Sequence, residues 1–157
     1  PASFLQATQE GEDALVADGI PADLAESLAG LTDLFDAPDI VLVARRTETP
    51  IEAVAATHFA LDRTFRLGPL LEAAYAIQTV DHYDRLARDR AMAAVASARR
   101  RLTAEVVARG GDLAAWQAAR GGDVERIRQA VDAIVASGLT VSKLTVAASL
   151  IDDLAKE

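Results

Sequence analysis

Apolar residues recur every three or four positions along most of this chain, the period of helices that bury one face. Leu24, Leu28, Leu31 and Phe35 mark one such face, and Ile51, Val54, His58, Leu61 and Phe65 mark another. A longer stripe runs through Leu86, Ala87, Ala91, Ala94, Ala98, Leu102 and Val106. Two more close the sequence: Val124, Ile127, Val131 and Ile134, then Leu144, Ala148, Ile151 and Leu154.

Proline and glycine punctuate these runs, because proline suits the first turn of a helix and glycine the position just past its end. Gly19 and Pro21 separate a first helix, about 3–18, from a second, about 21–35. Pro38 opens a short third helix containing Ile40, Val41, Val43 and Ala44, although such a β-branched cluster would also suit a strand. Thr49-Pro50-Ile51-Glu52 combines a capping threonine, a proline at the first helical position and a glutamate three residues after the cap, so a fourth helix starts there. It ends before Gly68-Pro69, which opens a fifth helix through Leu70, Leu71 and Tyr75. The longest helix spans about 81–108, capped by Asp81, with Asp84 in its first turn and Arg99, Arg100, Arg101 and Arg109 towards its end, complementing the helix dipole. Arg109-Gly110-Gly111-Asp112 and Arg120-Gly121-Gly122-Asp123 form a near-repeat in which glycines end one helix and an aspartate caps the next. Trp116 lies on the short helix between them, and helices over 123–136 and 142–155 follow. The expected fold is all-α: a single compact orthogonal bundle of about nine helices around one long central helix, with 1–157 as one domain and 1–18 as its lead-in helix.

Composition agrees, since aromatic residues are 4% of the chain and Ala, Leu and Val dominate its apolar fraction, a balance that suits closely packed helices. With 157 residues the chain can bury roughly 70% of its unfolded surface in one core. There is no cysteine, so neither a disulfide framework nor a thiolate metal site is expected, and the cytoplasm is the default location. No apolar stretch approaches the ~20 residues that span a bilayer. Of the 24 acids, nine lie in residues 1–39, which hold no Lys or Arg, leaving 15 against 16 bases elsewhere. That acidic face argues against non-specific nucleic-acid binding and suits a basic patch on a partner or another domain, or simply solvent. Pro1 in place of an initiating Met fits a segment excised from something longer, or a processed chain.

Candidate chemistry is sparse. His58 and Asp62, one turn apart, could offer two metal ligands, but two do not make a site and no HExxH-type partner is present. A hydrogen-bonded core histidine is the simpler reading of His58. His82, between Asp81 and Asp84, could carry a proton, yet no nucleophile or second base stands near it. None of the serines lies in a G-x-S-x-G elbow, and neither a dinucleotide-binding nor a P-loop glycine motif occurs. Arg99-Arg100-Arg101 could grip phosphates or carboxylates, and pairing with the acidic first 39 residues is the simplest account of it. No catalytic, cofactor-binding or metal residue is therefore assigned.

Several segments, in order, resemble the C-terminal region of the large NAD-specific glutamate dehydrogenases of bacteria. They are Gly19-Ile20-Pro21-Ala22-Asp23-Leu24-Ala25, Leu28-Ala29-Gly30-Leu31 and Pro38-Asp39-Ile40-Val41-Leu42-Val43-Ala44, then Thr49-Pro50-Ile51-Glu52-Ala53-Val54-Ala55 leading to His58-Phe59-Ala60-Leu61. Asp81-His82-Tyr83-Asp84-Arg85-Leu86-Ala87-Arg88, Arg101-Leu102-Thr103 and Leu144-Thr145-Val146-Ala147-Ala148-Ser149-Leu150 continue the series, with Tyr83 standing where the family often has Trp. The resemblance covers about 19–154. It implies a subunit that deaminates L-glutamate to 2-oxoglutarate with NAD, in which the dinucleotide-binding fold and substrate lysines precede this region. The segment itself would then be a non-catalytic helical domain that docks on the catalytic domain of the same polypeptide, supports a homo-oligomer or transmits an effector signal, with no nucleic acid or membrane partner. A free-standing adaptor with an exposed apolar groove, or a small-molecule sensor with a pocket of at least about 300 Å³ reached by His58 or His82, are the alternatives.

Overall fold

The structure, a computed structural model, describes residues 13, 16, 22, 37–76 and 82–156. Seven α-helices lie among the described residues, with no strand: α1 (Ala37–Thr47), α2 (Ile51–Phe65), α3 (Leu67–Tyr75), α4 (His82–Ala108), α5 (Leu113–Ala119), α6 (Asp123–Ala136) and α7 (Val141–Lys156). The all-helical class follows the sequence pattern, and these seven correspond to the third to ninth helices expected. Outside the described residues lie the stripe Leu24 to Phe35 and the Asp81 cap, and of the two helices expected before α1 only Asp13, Val16 and Ala22 are described, each helical and exposed. The chain forms two compact units, Pro1–Ala56 and Thr57–Glu157.

In the first unit, α1 settles the choice between helix and strand. Pro38 sits in its first turn, where a missing N–H costs nothing, Asp39 lies beside it, and Arg45 and Arg46 occupy the last turn, as the dipole favours. Ile40, Val41, Val43 and Ala44 are buried along one side. Thr47 Oγ1 donates to the Val43 carbonyl at 2.7 Å, and the Thr49 amide reaches back to the Ala44 carbonyl at 3.1 Å, so the helix closes with Glu48 in the left-handed region. The Pro50 carbonyl then accepts from Ala53 and Val54, which starts α2.

The second unit is built on α4, whose most extensive partner is α7; α3 packs on both α4 and α6, and α6 on α7. The stripe assigned to α4 needs correcting. Ala91, Ala98, Leu102 and Val106 are buried, but Leu86, Ala87 and Ala94 are exposed, whereas Met92 and Val95 are buried in their place. Alanine recurs so often on this helix that two overlapping stripes fit the sequence; the covering helices select the one through Val95. On α7 all four expected positions, Leu144, Ala148, Ile151 and Leu154, are buried, and Ala147 joins them. Ala98 and Ala147 are both fully enclosed, consistent with close helix approach through small side chains. Ile51 and Ile134, expected inward, are only partly buried.

α4 ends as its glycines predict. The Gly111 amide donates to the Val106 carbonyl at 2.9 Å and the Gly110 amide to Val107 at 3.0 Å, the paired closure of a Schellman motif, with Gly110 at φ 98° where a side chain would be strained. Asp112 then caps α5 by accepting from the Ala115 amide at 3.0 Å. The second aspartate of the near-repeat does not cap: Gly122 occupies the N-cap of α6, and Asp123 lies inside the first turn. Trp116, the single tryptophan, is buried on α5 under the Arg120 guanidinium, which also donates to the Leu154 carbonyl near the end of α7.

Candidate functional site

The chemistry-bearing side chains of the second unit meet where α2 faces α4. His58 and Asp62 stand one turn apart on α2, and Arg99 and Thr103 one turn apart on α4; His58, Arg99 and Thr103 are all at most 3% exposed. A guanidinium taken out of water costs several kcal/mol unless a carboxylate meets it with good geometry. Asp62 does so with both oxygens: Arg99 Nε donates to Oδ1 at 3.2 Å and Nη2 donates to Oδ2.

Thr103 fixes the orientation of the histidine. Its hydroxyl donates to the Arg99 carbonyl at 3.0 Å, so its one hydrogen is committed and its oxygen accepts from His58 Nδ1, 3.1 Å away. That tautomer leaves the Nε2 lone pair facing Arg99 Nη2 at 3.5 Å, with Asp62 Oδ2 3.7 Å from the same nitrogen. The phenyl ring of Phe59 stands edge-on to the imidazole at 6.0 Å. A His–Asp pair beside a hydroxyl has the inventory of a nucleophilic site. Here the hydroxyl points its proton at a backbone carbonyl, the carboxylate holds an arginine, and the imidazole is 1% exposed. The arrangement can tie α2 to α4, with the imidazole enclosed between them.

The residues proposed from sequence are therefore partly united and partly separated. His58 and Asp62 come together, but around Arg99, and among the described residues no group of three or more His, Cys, Asp or Glu could hold a metal ion. The arginine run divides by helical rotation. Arg99 turns inward; Arg100 approaches Ser97 at 3.5 Å; Arg101 grips Asp152 on α7 through two bonds of 2.7 Å, which raises its pKa above the ordinary arginine value. His82 opens α4, and its side chain lies outside the described set. What sequence reading missed was the role of Arg99 and Thr103. Their signal was available: positions 95, 99, 102, 103 and 106 share one helical edge.

Beside this cluster, at the α2–α3 joint, lies a groove of about 280 Å³ lined by Phe59, Asp62, Arg63, Arg66 and Pro69. It is slightly smaller than the ~300 Å³ at which small-molecule pockets begin, and His58 does not line it. Arg66, the joint itself, adopts a left-handed backbone (φ 55°, ψ 40°) without a side-chain cap for α3.

A family model described as glutamate dehydrogenase, C-terminal, matches residues 1–153. The chain belongs to the glutamate dehydrogenase C-terminal family. No curated protein matches it. The family match runs through both compact units, so the buried cluster and the arginine groove both lie within the glutamate dehydrogenase C-terminal domain.

Two further features of this glutamate dehydrogenase domain bear on its charge. On α6, Arg128 bridges Glu125 and Asp132, and the Glu125 carboxyl is held below the usual carboxylate range by its bond from Arg128, with Gln129 assisting. Glu125 and Gln129 are exposed and Arg128 and Asp132 partly so, and such pairs contribute little to stability. At Arg66 the left-handed backbone costs about 1–2 kcal/mol, while its ion pair with Asp132, at 3.6 Å and half-exposed, returns at most about 1 kcal/mol. Arg66→Gly is accordingly expected to leave the unfolding midpoint in urea unchanged or raised; a loss above about 1 kcal/mol would show that the guanidinium itself holds the joint.

Proposed function

We propose that this domain is a non-catalytic C-terminal element of an NAD-dependent glutamate dehydrogenase, serving its structure, assembly or regulation. The reaction, L-glutamate and NAD to 2-oxoglutarate, ammonium and NADH, then takes place in the catalytic domain of the same polypeptide, which also binds the NAD. The family match carries the reading, and the engagement of His58, Asp62, Arg99 and Thr103 with one another supports it, because the side chains best suited to chemistry are used in holding two helices together. In the same reading, residues 1–157 act as one domain of about nine helices in an orthogonal bundle, within a homo-oligomeric cytoplasmic enzyme. No helix among the described residues is long and apolar enough to cross a membrane, in keeping with that placement.

The test is removal. The complete dehydrogenase lacking this domain should sediment as a different assembly or lose its response to effectors while still forming some NADH. Unchanged assembly and unchanged regulation in the shortened enzyme would contradict the proposal.

A further inference from the structure

The groove at the α2–α3 joint has a composition that the fold does not require. It is lined by Phe59 and Pro69, by Asp62, whose carboxylate is already engaged by Arg99, and by Arg63 and Arg66. Both arginines are exposed, beside the apolar Phe59 and Pro69. Arg66 is held there by a left-handed backbone that its own weak pair with Asp132 does not offset, in a place where glycine would sit without strain. At about 280 Å³ the hollow is too small and open to enclose a metabolite, but it is large enough to seat one leucine- or phenylalanine-sized side chain from a surface laid across it.

We propose that this groove is where the domain docks on the rest of its own polypeptide, receiving an acidic segment that places one apolar side chain between Phe59 and Pro69 and carboxylates against Arg63 and Arg66. The inference rests on the reading of the chain as the C-terminal domain of a larger dehydrogenase, and it names the docking face. Charge complementarity selects the occupant: arginine forks pair carboxylates in two-bond geometry, and an apolar anchor inside a charged rim is the usual anatomy of such a contact.

The experiment uses the complete dehydrogenase with a photoreactive phenylalanine analogue in place of Arg63, and separately the pair Arg63→Glu and Arg66→Glu. Irradiation should join position 63 to an Asp- or Glu-containing segment outside residues 1–157. The charge-reversed pair should free the domain to limited proteolysis at least tenfold faster, as raised salt should in the unaltered enzyme. Arg63→Ala with Arg66→Gly, which removes both cations and the strain, should do the same while the 157-residue chain keeps its helical circular dichroism. Crosslinks confined to residues 1–157, or proteolysis unchanged by both pairs, would overturn the groove as the docking face. A domain released equally fast from every enzyme, including the unaltered one at low salt, would overturn the docking reading beneath it.

Discussion

Replacing Asp62 by alanine should lower the stability of the chain by about 3–5 kcal/mol, because it removes the carboxylate that both Nε and Nη2 of the Arg99 guanidinium, 3% exposed, donate to. The loss should appear as a fall in the urea midpoint with the slope of the transition unchanged. Removing both members, as Asp62→Leu with Arg99→Met, should recover most of it, since a buried ion pair often does no better than an apolar pair of similar volume. A loss below about 1 kcal/mol for Asp62→Ala would mean that the cluster does not hold α2 to α4, and that its carboxylate has to be explained by some other use.

Leu144→Ala should cost about 2–5 kcal/mol, read as a lowered Tm, because this side chain is fully buried on α7 and its loss leaves a cavity in the core. Val146, two residues on, is 53% exposed, and Val146→Ala should change stability by no more than about 0.5 kcal/mol. Against a total stability of the order of 5–15 kcal/mol, the contrast is large. Equal effects at the two positions would mean that the inward face of α7 has been misassigned.

Much of this architecture can be read from the chain because proline, glycine and aspartate mark helix ends through local backbone chemistry. Pro38, Gly68-Pro69, Gly110 and Asp112 all lie at or beside the helix ends they foretold. The faces of α4 are harder. Its many alanines satisfy two neighbouring stripes, and which is buried depends on α3 and α7, contacts that no local pattern specifies. The buried cluster lay in plain view residue by residue, yet the sequence offered Arg99 the acidic first 39 residues as its simplest partner, since arginine is normally solvated and its buried contacts are not written in local pattern. The tertiary fold supplies Asp62, 37 positions earlier and outside that stretch, as a carboxylate partner. The groove was invisible for the same reason: it depends on the corner at Arg66, where a left-handed arginine gives no sequence signal.

The proposed function places catalysis outside this domain. The purified 157-residue chain, incubated with L-glutamate and NAD and followed at the NADH absorbance, should show no glutamate-dependent rise above a protein-free control. A rise that scales with the amount of chain, and that is lost on His58→Ala in a variant that remains folded, would contradict that placement and make the buried cluster a reaction centre.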